Sequence, residues 1–504
     1  MTDLAARLVA APVAVRRLLA VVAGAAGALA HAPFDLAPFV LVPLVAGCWM
    51  APRCPSIRDA VWTGWLIGFG YFLVTLTWIT EPFQVDAAAT GWMAPFALVL
   101  LALLLGAFWA LALGVARGLG SGAVALVAAW AGVEVIRAYL FTGFPWATPP
   151  QALVDGLAGQ GLAWGGPHGM TALMVAVAAL IAKAKRAWIS AAATLVAFGL
   201  IVAPVPWEVS AMTGKTVRLI QPNAAQHEKW DPQMIPVFVN RQIDYVASGP
   251  VPDLVLMPET SLPYLQQNAQ PVFDILAEAA RGAPVVLGIQ RRVDGEFFNG
   301  LVALDPGGQV TQTYDKHHLV PFGEYMPLPW FFRRTGIRAL AERADGGYGS
   351  GPGPALMDLV DLGRAMPLIC YEVVFAHNMF GTDQRPDFLM NLTNDAWFGA
   401  RSGPQQHMTQ ARMRAIEQGL PMLRAANTGI SAAIDPRGRV LDALALNTAG
   451  FLDVPLPAPQ PPTPYARTGD MPWILLLALM LLVARLQHRR RARSHPIDGT
   501  GRGA

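Results

Sequence analysis

Charge is what this sequence has least of: Asp, Glu, Lys and Arg make up 14% of the 504 residues, against 54% hydrophobic. A soluble globular domain carries about 25% charged residues, so the shortage excludes an ordinary soluble protein and points to membrane spans. The formal net charge is only +3. Much of the local basic excess is collected near the C-terminus, at Arg485, Arg489, Arg490, Arg491 and Arg493. This pattern does not suggest a nucleic-acid partner; a basic run behind an apolar stretch marks the cytoplasmic end of a membrane helix.

Cysteine is nearly missing as well. Three residues, Cys48, Cys54 and Cys370, cannot make a disulfide framework. The first two fall in or beside apolar segments far from the third, so Cys370 reads as unpaired. No metal-ligand spacing is recognisable: His317 and His318 are adjacent, which on a strand places them on opposite faces. No metal and no cofactor is expected, and there is no internal repeat.

What the chain does have is long apolar runs. Seven helical cores are read before residue 204, at 18–30, 36–49, 62–80, 92–115, 123–141, 170–182 and 188–203, and an eighth at 472–484. Several fall short of the roughly 20 residues a span needs, so their ends must extend into flanking sequence. Basic residues occupy alternate connections only. Arg7, Arg16 and Arg17 precede the first run, Arg53 and Arg58 follow the second, Arg117 follows the fourth, and Lys183, Lys185 and Arg186 follow the sixth. The loops around Pro33, Phe83 and Pro150 have no Lys or Arg. By the positive-inside rule both termini are cytoplasmic and the long segment between the seventh and eighth runs lies outside. A cleaved signal peptide ending near Ala28-Leu29-Ala30 is a competing reading; it would leave the other helices oriented as before. Glu134 and Arg137, three apart on the fifth run, share a helical face and read as a structural ion pair, with lipid-headgroup contact as the alternative.

Residues 215–455 change character, with short β-like runs, turn signals and amphipathic helices that together read as an α/β domain. Strands are expected at 217–221, 254–257, 285–289, 300–304, 310–314, 367–370, 388–392 and 430–434, and helices at 232–247, 271–281 and 406–420. Asp305-Pro-Gly-Gly308 and Asp435-Pro-Arg-Gly438 are hairpin turns by composition. The expected organisation is a transmembrane helical domain at 1–205, an outer catalytic domain at 215–455, a proline-rich linker at 456–470, a membrane helix at 471–487 and a basic cytoplasmic tail at 488–504.

Three segments put a reactive side chain at the end of an apolar strand: LVLMPETS with Glu259, YDKHHLVPFGEYMP with Lys316, and PLICYE with Cys370. A carboxylate can take a thiol proton, the thiolate can attack a carbonyl, and an ammonium can stabilise the oxyanion. Each has a plain alternative, as a helix-initiating carboxylate, a solvated charge or a small buried hydrophobe. Outside the inner membrane an unpaired thiol is a liability, which favours a chemical reason for Cys370.

In this order and with these flanks, the three segments resemble the nitrilase superfamily, whose Glu-Lys-Cys triad sits on an αββα sandwich. Joined to a helical membrane half, the resemblance narrows to the apolipoprotein N-acyltransferases. It is carried by KHHLVPFGEYMPLP, ICYE and NLTNDAWFG, less strongly by LIQPNAAQHEKWDP, and in the apolar half by HAPFDLAP and FTGFPW. It implies a multi-pass membrane domain of about eight helices plus the sandwich, in a bacterial inner membrane. It implies Glu259 as general base, Lys316 as oxyanion stabiliser and Cys370 as acyl-carrying nucleophile, supported by Tyr371, Glu372 and Glu324, the last to orient Lys316 or assist proton transfer, with a turn-stabilising carboxylate as its alternative, and with Trp230 at a functional family position. The implied reaction takes an acyl group from a phospholipid, typically phosphatidylethanolamine, to the diacylglyceryl-cysteine of an apolipoprotein. Trp330 and Phe331, next to Arg333 and Arg334, and Trp397 with Phe398 form aromatic clusters suited to the lipid headgroup level; ordinary core packing is their alternative. A membrane-tethered amidase and a non-catalytic binding protein remain competing readings.

Overall fold

The computed structural model describes residues 10–206, 210–334 and 347–494. Arg7 and residues 495–504 of the basic tail lie outside them. All eight apolar runs contain helix: α1 (Val13–Ala28), α2 (Leu41–Met50), α3 (Ile57–Thr75), α4 (Ala94–Gly118), α5 (Ala123–Tyr139), α6 (Leu162–Lys183), α7 (Ala187–Val202) and, after the outer domain, a last helix Met471–Ser494. Among the described residues three stretches are long and apolar enough to cross a membrane, Ala87–Gly118, Leu157–Lys183 and Met471–Arg491. A fourth is added if Ile57–Thr75 and Thr77–Gln84, bent by 48°, form one broken span. Length and composition therefore support a helical membrane half, at a count lower than eight. The remaining runs break early, as where a 3-10 turn at Ala37–Val40 takes the first part of the second run.

Small residues set the helix packing. A Cβ at Gly64 of α3 would stand 2.2 Å from the Trp109 carbonyl oxygen of α4, so only glycine permits this approach. Conversely, Leu475, Leu476, Leu479, Leu482 and Leu486 of the last helix are exposed, the arrangement of a helix whose solvent is lipid. Glu134 and Arg137 are both buried and paired at 2.5 Å. Glu134 also accepts Trp109 Nε1–H at 2.8 Å, and Arg137 donates to the Phe144 and Trp146 carbonyls at 2.5 and 2.8 Å. The pair is a structural one, saturated with protein partners.

The outer domain is built from two six-stranded sheets, ordered β12-β1-β2-β3-β4-β5 and β11-β10-β9-β8-β7-β6. In chain order these are β1 (Met212–Gln221), β2 (Leu254–Leu256), β3 (Val285–Val293), β4 (Glu296–Leu304), β5 (Val310–Asp315), β6 (Met357–Asp358), β7 (Arg364–Ile369), β8 (Phe388–Thr393), β9 (Met422–Ala426), β10 (Ser431–Ile434), β11 (Val440–Leu444) and β12 (Gly450–Pro457). Side-chain alternation divides each strand between two cores. Val217, Leu219, Leu254 and Leu256 meet Ile369, Met390, Leu392 and Leu423 between the sheets. Ile220, Val255 and Val285 turn outward onto helices Ile235–Ala247 and Gln270–Ala280. Met366, Leu368 and Leu389 turn onto helix Gly403–Gln418. The result is the expected four-layer αββα sandwich.

Both expected hairpin turns join paired strands, β4 to β5 and β10 to β11. Four strands, β6, β9, β11 and β12, are additions to the sequence reading. The proline-rich segment, expected as a linker over 456–470, begins inside a strand. β12 runs on to Pro457 at the sheet edge, where a strand tolerates prolines, and pairs Pro455 with Thr216. The segment then caps a short helix, Pro464–Thr468, through Thr463.

Candidate active site

Strand direction gathers the site. β1, β2 and β3 are parallel, so the segments after Gln221 and Leu256 leave the same edge. β4 and β5 follow antiparallel, which brings the start of β4 and the end of β5 to that edge. In the second sheet β7, β8 and β9 are parallel, placing Cys370, Asn394 and Asn427 side by side just past their ends. Loops at the carboxyl ends of parallel strands are where open sheets build sites.

Glu259 turns inward two residues after Met257. The turn packs on Gly288 of β3, where a Cβ would lie 2.5 to 2.6 Å from backbone atoms of Pro258, Glu259 and Thr260. The Glu259 carboxylate accepts Asn299 Nδ2–H at 2.7 Å on one oxygen and the Asn394 backbone N–H at 2.8 Å on the other. Lys316 follows β5 and is 1% exposed. Its Nζ lies 2.7 and 2.9 Å from the two oxygens of Glu324 and 3.8 Å from Glu259 Oε1. Burial lowers its pKa, but Glu324, then Glu259 and Cys370, outweigh it and hold the ammonium above the ordinary lysine range. Glu324 is itself fixed by Asn299 Nδ2–H at 2.9 Å and the Val320 N–H at 2.8 Å.

Cys370 is buried, with φ +50°, a conformation a non-glycine residue adopts only when its surroundings impose it. Burial, then the charge of Glu259, pushes its thiol well above the ordinary range, while Lys316 and a hydrogen bond with Thr393 pull the other way. The three residues thus act on one another electrostatically, in a site that leaves the thiol protonated until a base takes the proton. Among the described residues, all three cysteines are free.

The supporting residues divide by role. Glu372 is fully buried and accepts the backbone N–H groups of Ile369, His317 and His318 at 2.7, 2.8 and 3.2 Å, together with the Tyr314 hydroxyl at 3.0 Å. It joins the segment carrying Lys316 to the one carrying Cys370. His317 and His318 lie just past β5 rather than within it. His317 faces Glu372 at 2.7 Å, and His318 stacks on Phe375 with ring centroids 3.6 Å apart. Tyr371 is buried and reaches the Gly143 carbonyl at 3.4 Å, in the FTGFPW loop of the membrane half.

The aromatic expectations separate. Phe398 is 7% exposed and packs edge-on against Trp78 and Trp146 of the membrane half, with centroids 5.0 and 5.5 Å apart. Trp397 is partly buried against the same core. Phe398 is thus interdomain core, packed where the two halves dock. Trp330 is 56% exposed and carries Arg334 over its ring at 5.9 Å; the Phe331 side chain lies outside the described residues. Trp230 is half-exposed beside Lys229.

Several residues escaped sequence reasoning. Asn299 bridges both glutamates, yet a lone Asn before a strand looks like a turn residue. Lys229 is buried against the Glu259 carbonyl at 3.4 Å, and burial brings its pKa down to about 8. His407 and Asp395 lie directly behind Cys370. Asp395 stands inside NLTNDAWFG, a segment conspicuous in sequence for its aromatics. Among the described residues no cluster of three or more metal-ligating side chains is present.

Comparison with known proteins gives a family for each half. The apolipoprotein N-acyltransferase N-terminal domain matches residues 23–180, and the carbon-nitrogen hydrolase family matches residues 182–459. Over 520 residues the chain is 38% identical to an apolipoprotein N-acyltransferase of Bradyrhizobium diazoefficiens, covering 95% of this chain and 96% of the relative. A namesake from Caulobacter vibrioides is 36% identical, covering 92% and 93%. A solved CN-hydrolase superfamily protein from Xanthomonas campestris, XC1258, aligns at 19% identity and a TM-score of 0.36, covering 52% of this chain and 97% of that one.

Proposed function

The chain belongs to the apolipoprotein N-acyltransferase family, and from that premise we propose a mechanism in which Cys370 carries the acyl group between two membrane-held substrates. The reaction is the N-acylation of lipoproteins. The observation that carries the mechanism is the buried ammonium of Lys316, clamped by Glu324 and Glu259 and acting on a buried, strained Cys370.

In the first half-reaction Glu259 takes the Cys370 proton as the sulfur attacks a phospholipid ester carbonyl. The oxyanion is met by the Lys316 ammonium and the Tyr371 backbone N–H. Collapse breaks the ester C–O bond, Glu259 returns the proton to the departing glycerol oxygen, and a lysophospholipid leaves a thioester behind. In the second, the neutral α-amine of a diacylglyceryl-cysteine attacks the thioester, Glu259 accepts the amine proton, and the thiol is regenerated as the amide forms. Water competes as nucleophile, so a buried thiol at the junction with the membrane half suits the reaction.

Phosphatidylethanolamine is the donor we favour. The alternation of basic connections supports an inner-membrane, multi-pass chain with cytoplasmic termini, a periplasmic outer domain and more spans than helix length alone supports. Exposed Trp330 beside Arg334 supports headgroup contact there.

The test is the intact mass of the purified protein and of Cys370→Ser after incubation with phosphatidylethanolamine, before and after hydroxylamine. A hydroxylamine-labile acyl adduct on the wild type alone is expected. Its absence from folded, lipid-supplied protein would overturn the assignment of Cys370, and acyl release to water with an apolipoprotein present would favour an amidase.

A further inference from the structure

Against the Cys370 main chain lies a fully buried polar group that the mechanism above does not use. His407, on helix Gly403–Gln418, places Nε2 3.1 Å from the Cys370 carbonyl oxygen. Its Nδ1 lies 2.9 Å from Asp395 Oδ1 and 3.1 Å from Arg424 Nη2, and Arg424 donates to Asp395 Oδ2 at 2.6 Å. All three side chains are 0% exposed. The imidazole stacks on Trp146 of the membrane half, 5.6 Å between centroids at 19°, and meets Phe398 edge-on at 5.2 Å.

A carbonyl can only accept, so Nε2 must carry the proton. Nδ1 faces Asp395 Oδ1 and Arg424 Nη2, and Asp395 also takes hydrogen bonds from Arg424 and from Thr393 at 2.9 Å. Burial and then Arg424 push His407 below the ordinary histidine range, while Asp395 pulls the other way. Across a trans peptide the C=O and the following N–H point in opposite directions. Whatever holds the Cys370 carbonyl therefore also aims the Tyr371 N–H. At φ +50° Cys370 is in a conformation that needs such a hold.

We propose that His407 is a positioning residue for acylation: its Nε2–H holds the Cys370 carbonyl and so directs the Tyr371 N–H at the oxyanion. The inference rests on Cys370 being the acyl-carrying nucleophile. Trp146 and Arg424 keep the ring in plane, so the docked membrane half contributes to the reactive geometry of the outer domain.

The experiment compares wild type, His407→Gln, His407→Asn and Cys370→Ser in detergent micelles containing phosphatidylethanolamine. Single-turnover thioester formation is measured beside alkylation of Cys370 by iodoacetamide, a reaction with no oxyanion. Asn withdraws the donor from the Nε2 position and should slow acylation about 10- to 100-fold while alkylation changes less than about threefold. Gln places an amide N–H near that position and should restore acylation to within about threefold of wild type. Equal loss of both reactions in the Asn variant, or unchanged acylation, would overturn the role of His407. If the Asn variant does not fold, slow acylation in a folded Gln variant is the overturning result. No adduct on the wild type would instead remove the assignment of Cys370, and this inference with it.

Discussion

Glu324 stands closer to Lys316 than Glu259 does, 2.7 Å against 3.8 Å, although Glu259 is the residue assigned the proton transfer. Glu324 is the principal anchor of the ammonium, and Glu259, farther from it, is the carboxylate assigned to the proton. Glu324→Gln keeps the shape but removes the largest attraction holding the Lys316 proton. The Lys316 pKa should fall, and the alkaline limb of kcat/KM should move to lower pH, with a loss of about 10²-fold or more at the optimum. An alkaline limb that stays in place would show that Glu324 does not govern the charge of Lys316.

Glu259→Gln keeps an acceptor for only one of the two asparagine contacts and cannot take a proton. Because burial holds the Cys370 thiol protonated, thioester formation should fall by about 10²- to 10⁴-fold, and iodoacetamide alkylation should slow with it. Rapid alkylation in this variant would mean that another base serves the thiol.

Asn299→Ala removes a donor shared by Glu259 and Glu324, at 2.7 and 2.9 Å. The two carboxylates are then freer to reorient, and kcat should drop about tenfold with little change in KM for phospholipid. Steady-state kinetics over a series of donor concentrations decides it; a change confined to KM would contradict a role in geometry.

The His317–Glu372 contact gives a pH dependence whose two limbs have different owners. Burial disfavours charge on both, but their mutual attraction prevails and raises His317 above 6.5, while His317 and the Ile369 N–H help lower Glu372 below 4.5. The stabilisation due to His317 is complete below pH 6.5 and fades as pH rises through its raised value. That due to Glu372 is present above pH 4.5 and fades as pH falls through its lowered value. In thermal melts His317→Asn should flatten the alkaline decline above pH 6.5. A decline of unchanged slope would assign it to other groups.

Gln406 ties the two halves together. Its amide donates to the Ala32 and Thr75 carbonyls at 2.9 and 3.1 Å, and its oxygen accepts Trp146 Nε1–H at 2.8 Å. Gln406→Ala leaves three buried polar groups without these partners and should cost roughly 2–4 kcal/mol, read as a lower Tm in detergent. An unchanged Tm would show that the apolar contacts of Phe398 and Trp78 suffice for docking.

The sequence by itself determined the apolar helical half and the α/β character of the outer domain, implied the two-sheet sandwich through its family resemblance, and singled out Glu259, Lys316 and Cys370 as candidates. Those features are local: hydrophobic period, turn chemistry and short segments around a reactive side chain are all written in neighbouring residues. Glu324 was expected to orient Lys316 or to assist proton transfer, and Glu372 only to support activity. Only the tertiary structure decided that Glu324 anchors the ammonium while Glu372 binds two segments together, since each role depends on which distant backbone N–H or cation meets the carboxylate. It also turned Phe398 from an expected lipid contact into interdomain core. Asn299 and His407 became part of the site for the same reason. A neutral polar side chain acquires a direction only when a parallel strand end or a packed helix from elsewhere in the chain is brought within about 3 Å of it.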